Sequence, residues 1–542
     1  MLERTLSALV ADPSSTARLS LRAILQGFDM GRIDTASSVS EARRRLIENK
    51  YDVVLCEYHF ESDDSGQDLL EDLRARRVLP VTTLFIMVTG ESSYAKVMTV
   101  AEESPDEYML KPVQAGNLAE RIEKAFARRE VLLEIYEAMN RQDYAGAIKI
   151  CQRMMAAKSI YQTDIMRLAS QCLFRMERYD EAAAMYKRIL EIRNPAWAKL
   201  GLARVALKQG DKATAEQAMR DIIGQHLRYL PVYNQLTDLL MADERFADAL
   251  DITEQAIKLS PHSVKRLQRA GQLCYSLGQT DRAVEFFNRA VRVNGNAVEL
   301  DFRTLFHLAL LQFERGQAAD GASLVKQLAA KSSDDEISEQ GRVGRWYAEL
   351  AAAVEAITRR EPLAAIDALR RIASSWDSPD FTFEFSLDYL QVLNKLYADD
   401  IAGTLAEWLQ PIVLRFATGR HAQELLVRPI AANGKLAERV EHAGEEISHI
   451  ANEAAQLMVE SNFRAAADRL VQEGMRTRNN RLLASAANAA SKCFQVEHDE
   501  QYRQHAETCL AFMTPPDDNL TRRLRSAMGG PSDPRAAAAP AA

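Results

Sequence analysis

YDVVLCEYHF (residues 51–60) decides the fold of the first quarter of this 542-residue chain. Its apolar run is too continuous for a strand with one wet face, and reads as a parallel strand buried on both sides. Upstream lies a second short apolar run, TLSALVA (5–11). After Asp12, Pro13, Ser14 and Ser15 comes TARLSLRAIL (16–25), with apolar residues at helical spacing. Ala36–Val39 is expected to be a short strand and Val39–Glu48 a helix opened by a serine cap. Downstream, the pattern predicts a helix over Gly66–Arg76, a strand over TLFIMVT (83–89) and a helix over Ser93–Glu102. A strand over Glu107–Leu110 and a helix from about Ala115 complete the series. This five-fold β-α alternation predicts a doubly wound, flavodoxin-like α/β domain with a five-stranded parallel sheet.

In such sheets the working site lies beyond the carboxyl ends of the strands. Polar residues fall there: Asp12 after the first strand, Glu57 after the third, Thr89 after the fourth and Lys111 after the fifth. Carboxylates, a hydroxyl and an ammonium in one pocket suit a phosphoryl group on a carboxylate. The acids would hold Mg²⁺, while the hydroxyl and ammonium meet phosphoryl oxygens.

These residues resemble the receiver domain of two-component response regulators over residues 5–125. VADPSSTAR (10–18), VVLCEYHF (53–60), Gly66, VTG (88–90) and YMLKP (108–112) stand in the family's order and spacing. The resemblance makes Thr89 the switch hydroxyl, Tyr108 the switch aromatic that swings between exposed and inward positions, and residue 57 the phospho-acceptor. Two positions depart from it. Ala11 replaces the first of the acidic pair, leaving Asp12 alone, and Glu57 stands in place of the acceptor aspartate. A glutamate reaches one methylene, about 1.5 Å, further into the pocket. The expectation is a degenerate receiver, with Glu57 either a built-in phosphate mimic or a structural remnant. Mg²⁺ on Asp12 and Glu57 is expected to be weak or absent, and no other cofactor is implied.

Beyond residue 130 the chain repeats itself. RQDYAGAIKICQRMM (141–155), MERYDEAAAMYKRIL (176–190), QGDKATAEQAMRDII (209–223), DERFADALDITEQAI (243–257) and LGQTDRAVEFFNRAV (277–291) align without gaps. Each places a small residue at a helix crossing: Ala147, Ala182, Ala215, Ala249 and Ala283. A large residue follows four positions later in most copies. A helix hairpin of about 34 residues cannot bury its own face, so copies stack into a superhelix. The pattern resembles the tetratricopeptide repeat, which implies a surface for protein partners. Weaker copies centre on Gly321, Ala365 and Ala466. Pro429, Asn433 and Gly434 mark a break. The expected organisation is a receiver-like domain (1–125), a connecting helix (126–140), tetratricopeptide-type repeats (141–425), a further helical region (435–525) and a disordered tail (526–542).

Composition bounds the rest. The chain holds 68 basic and 76 acidic residues, a net charge of −8, so no global basic footprint for nucleic acid exists. Apolar runs fall well short of the ~20 residues that span a bilayer. The N-terminus does not read as a secretory signal. Six scattered cysteines without a CxxC fit reduced thiols in a cytoplasmic protein. His442 and His449, like His498 and His505, share helix faces without partner ligands and read as solvated. The expectation is a cytoplasmic, non-enzymatic signalling adaptor that binds a protein through its repeats and dimerises, if at all, through the receiver surface around Tyr108. Two rivals stand beside it: a phosphorylatable Mg²⁺-dependent regulator, and a constitutive scaffold.

Overall fold

The computed structural model describes residues 6–28, 30–60, 66–75, 78–80, 82–90, 106–227, 229–261, 263–293, 300–333, 339–397, 402–515 and 517–528. The helix expected at 93–102 and the tail from 529 onward lie outside the described residues. The chain forms two compact units, Met1–Asp301 and Phe302–Ala542.

The first unit opens with a five-stranded parallel sheet of order β2-β1-β3-β4-β5. The strands are β1 (Leu6–Ala11), β2 (Met30–Ala36), β3 (Val53–Glu57), β4 (Leu84–Thr89) and β5 (Glu107–Leu110). β1 and β3 pair in register from Ala8 with Val53 to Ala11 with Cys56, and Glu57 stands opposite Val88 of β4. All residues of β3 and β4 are buried, as their continuous apolar sequence requires. The second strand departs from expectation, for it ends at Ala36 instead of starting there. MGRIDTA is an edge strand with exposed Gly31 and Arg32, so its polar sequence hides it. The Ser37–Ser38 step instead caps α2, Ser38 Oγ accepting the Glu41 N–H.

Helices α1 (Ser15–Gln26), α2 (Val39–Glu48) and α3 (Gly66–Ala75) follow β1, β2 and β3. The fourth described helix, α4 (Ala115–Asn140), follows β5 and runs unbroken for 26 residues. Leu118, Ile122 and Ala125 of its first half pack in the sheet core with Leu55, Ile86 and Met109. Leu132, Ile135 and Ala138 of its second half are buried too. That half packs on α5 (Tyr144–Ala156) and α6 (Gln162–Arg175). The sheet domain and the first hairpin therefore share one helix.

The repeat pattern is realised as stacked antiparallel helices. Ala147, Ala182, Ala215, Ala249 and Ala283 are fully buried, and so is Phe287, one of the large partners. A further regularity lies in the backbone. Gln142, Glu177, Gly210, Glu244, Gly278, Gly316, Arg360 and Ser461 all have positive φ. Each stands five positions before a small residue, from Ala147 through Gly321 and Ala365 to Ala466. The turn between the two helices of a hairpin thus needs the left-handed region in every copy, although glycine fills it in only three.

The second unit is helical among its described residues, and Pro411 lies inside the helix Ala402–Phe416. The segment with Pro429 forms a short 3-10 turn, Arg428–Ile430, before the helix Gly434–Val459. At its heart Asp388 is 3% exposed. Its carboxylate accepts from Arg303 Nε (2.8 Å) and Nη2 (3.1 Å), meets His307 Nε2 at 3.0 Å, and accepts from the Tyr347 hydroxyl at 3.0 Å. Burial alone would raise this carboxyl, but Arg303 and the hydrogen bonds hold it well below the usual carboxylate range.

Candidate functional site

β1 and β3 are adjacent and parallel, so Asp12 and Glu57 emerge side by side at the carboxyl end of the sheet. Both are buried, Asp12 being 1% and Glu57 7% exposed. Two buried carboxylates side by side call for either a shared proton or a counter-charge. Lys111, just past β5, supplies it. Its Nζ donates to Asp12 Oδ2 at 2.5 Å and to Glu57 Oε2, bridging the two acids. Its backbone N–H donates to the Thr89 carbonyl at 2.9 Å, which anchors the residue across the sheet. Burial alone would lower the Lys111 ammonium, but its hydrogen bonds to Asp12 and Glu57 raise it above the ordinary lysine value.

The remaining carboxylate oxygens are also occupied. Glu57 Oε1 accepts the backbone N–H of Tyr58 (2.7 Å) and of His59 (3.2 Å), so the side chain folds back over its own turn. Asp12 Oδ1 accepts the Ser14 N–H at 2.9 Å. Gly66 permits the turn's close return. Its N–H donates to the Tyr58 carbonyl at 2.9 Å, and a Cβ there would strike the Glu57 carbonyl and the Cys56 sulfur.

The structure thus brings Asp12, Glu57, Lys111 and the backbone of Thr89 together. Thr89 itself is buried at the end of β4. Tyr108 lies inward, 8% exposed, its hydroxyl donating to Gln67 Oε1 at 3.3 Å. Sequence reasoning missed Gln67, the Ser14 amide and the paired amides of Tyr58 and His59. Backbone donors carry no sequence signal, and a glutamine on a helix reads as surface.

These positions coincide with a known family. Residues 8–123 match the response regulator receiver domain, and residues 173–237 and 240–300 match the tetratricopeptide repeat. The chain joins a receiver domain to tetratricopeptide repeats. Chemotaxis protein CheY-3 of Vibrio cholerae is 25% identical over 128 residues, which is 24% of this chain and 97% of that protein. ER membrane protein complex subunit 2-B of Xenopus laevis is 25% identical over 149 residues, 27% of this chain and 48% of that protein. Among solved structures, a response regulator receiver domain protein from Clostridium thermocellum is 29% identical, covering 23% of this chain and 98% of its own, with a TM-score of 0.20. The C-terminal part of a TPR repeat-containing protein from Cytophaga hutchinsonii is 16% identical, covering 44% of this chain and 93% of its own, with a TM-score of 0.36.

The receiver family implies Mg²⁺, which asks for near-octahedral oxygen ligands. This pocket does not fit it. Ala11 puts a buried methyl where an acid is expected, and all four oxygens of Asp12 and Glu57 already accept hydrogen bonds. Among the described residues no group of three or more His, Cys, Asp and Glu side chains is placed to hold a metal ion. His442 and His449 are exposed on the helix Gly434–Val459, each beside a glutamate. No described helix is long and apolar enough to cross a membrane.

Proposed function

We propose that this chain is a two-component-type signalling adaptor whose degenerate receiver is held in one state by its own side chains. The observation that carries the reading is the Lys111 ammonium bridging Asp12 and Glu57, with Glu57 Oε1 on two backbone amides. An ammonium and amides are the donors that would hold phosphoryl oxygens; here they hold the Glu57 carboxylate. Tyr108 is likewise held in one position, inward on Gln67 Oε1. Glu57 is then a built-in mimic.

The repeats are the output. They bind a protein partner, and the receiver biases that binding; the receiver surface around Tyr108 offers a route to a homodimer. The adaptor works in the cytoplasm, without catalysis, nucleic acid or membrane.

The test has two arms. Wild-type protein with Mg²⁺ and beryllofluoride should show no rise in melting temperature and no adduct. A clear Mg²⁺-dependent rise would overturn the reading in favour of a phosphorylatable regulator. Partners captured by the full chain, then compared with Glu57→Gln, should change in affinity; unchanged affinity would leave a constitutive scaffold.

A further inference from the structure

We infer that residues 106–111 carry the state of the receiver pocket into the first repeat, through two guanidinium clamps on the shared helix α4. The starting point is a weakness in the sheet. β5 has four residues and, among the described strands, a neighbour on one side only, β4. Such an edge strand is held by few ladder bonds and would move readily. Here it is pinned at three places by side chains from elsewhere.

At its carboxyl end Lys111 is fixed by Asp12 and Glu57, as described above. Along its open side Arg121 Nη1 donates to Glu107 Oε2 (2.7 Å) and to the Tyr108 carbonyl (3.0 Å). At its amino end Asp106 is gripped from both sides. Its N–H donates to the Phe85 carbonyl and its Oδ2 accepts the Phe85 N–H, both at 2.8 Å. Its Oδ1 accepts from Arg129 Nη2 at 2.7 Å. Arg129 and Asp106 side chains are each 13% exposed, so this pair is poorly screened by solvent.

Arg121 and Arg129 lie on one face of α4, with buried Ala125 between them at four-residue steps. The strand and the first half of the helix are therefore clamped at two points. The second half of that helix is the surface on which the first hairpin packs, through Leu132, Ile135 and Ala138. A shift of β5 that follows from Lys111 changing partners must drag both clamps, and the helix with them. Packed side chains, ion pairs and a rigid helix are the elements that carry coupling between sites. The inference does not depend on whether Glu57 is a phosphate mimic.

Hydrogen exchange on the full chain tests it, with Lys111→Met, Arg129→Gln and the double variant. Lys111→Met leaves two buried carboxylates without their cation. It should speed exchange at least about tenfold both in β4–β5 and in residues 144–175. In the Arg129→Gln background Arg121 still holds β5 and Arg128 stands 3.9 Å from Asp106, so the same change should act in full on the sheet and clearly less on residues 144–175. Glu57→Gln, which preserves shape, is the second probe if Lys111→Met does not fold. The inference is overturned if the pocket variant leaves residues 144–175 untouched in the otherwise wild-type chain, or if it acts on them equally with and without Arg129. A beryllofluoride response would end the reading of a self-occupied pocket and leave these outcomes as they stand.

Discussion

Two buried carboxylate clusters, one in each compact unit, solve the same problem in opposite ways. In the receiver, Asp12 and Glu57 share one ammonium, so acid exceeds cation. In the second unit, Asp388 alone draws on a guanidinium, an imidazole and a phenol, so donors exceed acid. The first arrangement hangs on a single cation, Lys111. The second is saturated and acts as a rivet between the helices Phe302–Glu314, Glu339–Thr358 and Phe383–Leu396.

Removing the second centre tests the rivet directly. Asp388→Ala strands Arg303 beside a buried hole, and should cost about 3–5 kcal/mol in urea unfolding. A loss below about 1 kcal/mol would refute the rivet, since exposed pairs are worth no more than that. Asp388→Asn keeps the shape and isolates the charge, and should recover part of the loss.

The same contrast sets opposite responses to pH. Asp388 has a folded value below its ordinary one, so its stabilisation is present above the ordinary carboxylate value. It is lost as the solution is acidified below that value. Lys111 has a folded value above its ordinary one. Its contribution is present below the ordinary lysine value and fades as pH rises through the folded one. Acid should therefore loosen the second unit first, and alkali the receiver first. Exchange or proteolysis mapped on the full chain at both extremes checks the order; the reverse order would break the comparison.

The two clusters also differ in how far the sequence announces them. The receiver pocket is legible because strand order fixes where each carboxyl end falls, and the polar residues at 12, 57, 89 and 111 each follow an apolar run. The Asp388 cluster is not. Arg303 and His307 lie 81 to 85 residues before their partner, and only the packing of three helices joins them. A charged residue inside an amphipathic helix pattern reads as surface. The edge strand β2 escaped for a related reason, its polar residues facing solvent. The shared helix was half legible: no linker residues separate 125 from 140, yet the Asp106–Arg129 clamp needs β5 and α4 in place to exist. The repeats were legible through their small residues, while their left-handed turn was hidden behind Gln142, Glu177 and Glu244, which do not look like turn glycines.

That turn gives the smallest effect and a scale for the other two. Its constraint is local, set by one residue's φ and not by partners brought from distant helices. A non-glycine residue in the left-handed region costs about 1–2 kcal/mol. Glycine recovers this but adds about 0.5–1 kcal/mol of chain entropy in the unfolded state. Gln142→Gly, at φ 62, should therefore stabilise only slightly, by roughly 0.5 kcal/mol. Gly278→Ala, at φ 72 with open space around its Cβ position, should destabilise by about the same amount. Melting temperatures of the two variants should move in opposite directions. If Gly278→Ala raised the melting temperature, the turn would not need the left-handed region, and the regularity that unites the repeats would lose its physical basis. If either shift matched that of Asp388→Ala, the distinction between local strain and assembled charge clusters would fail.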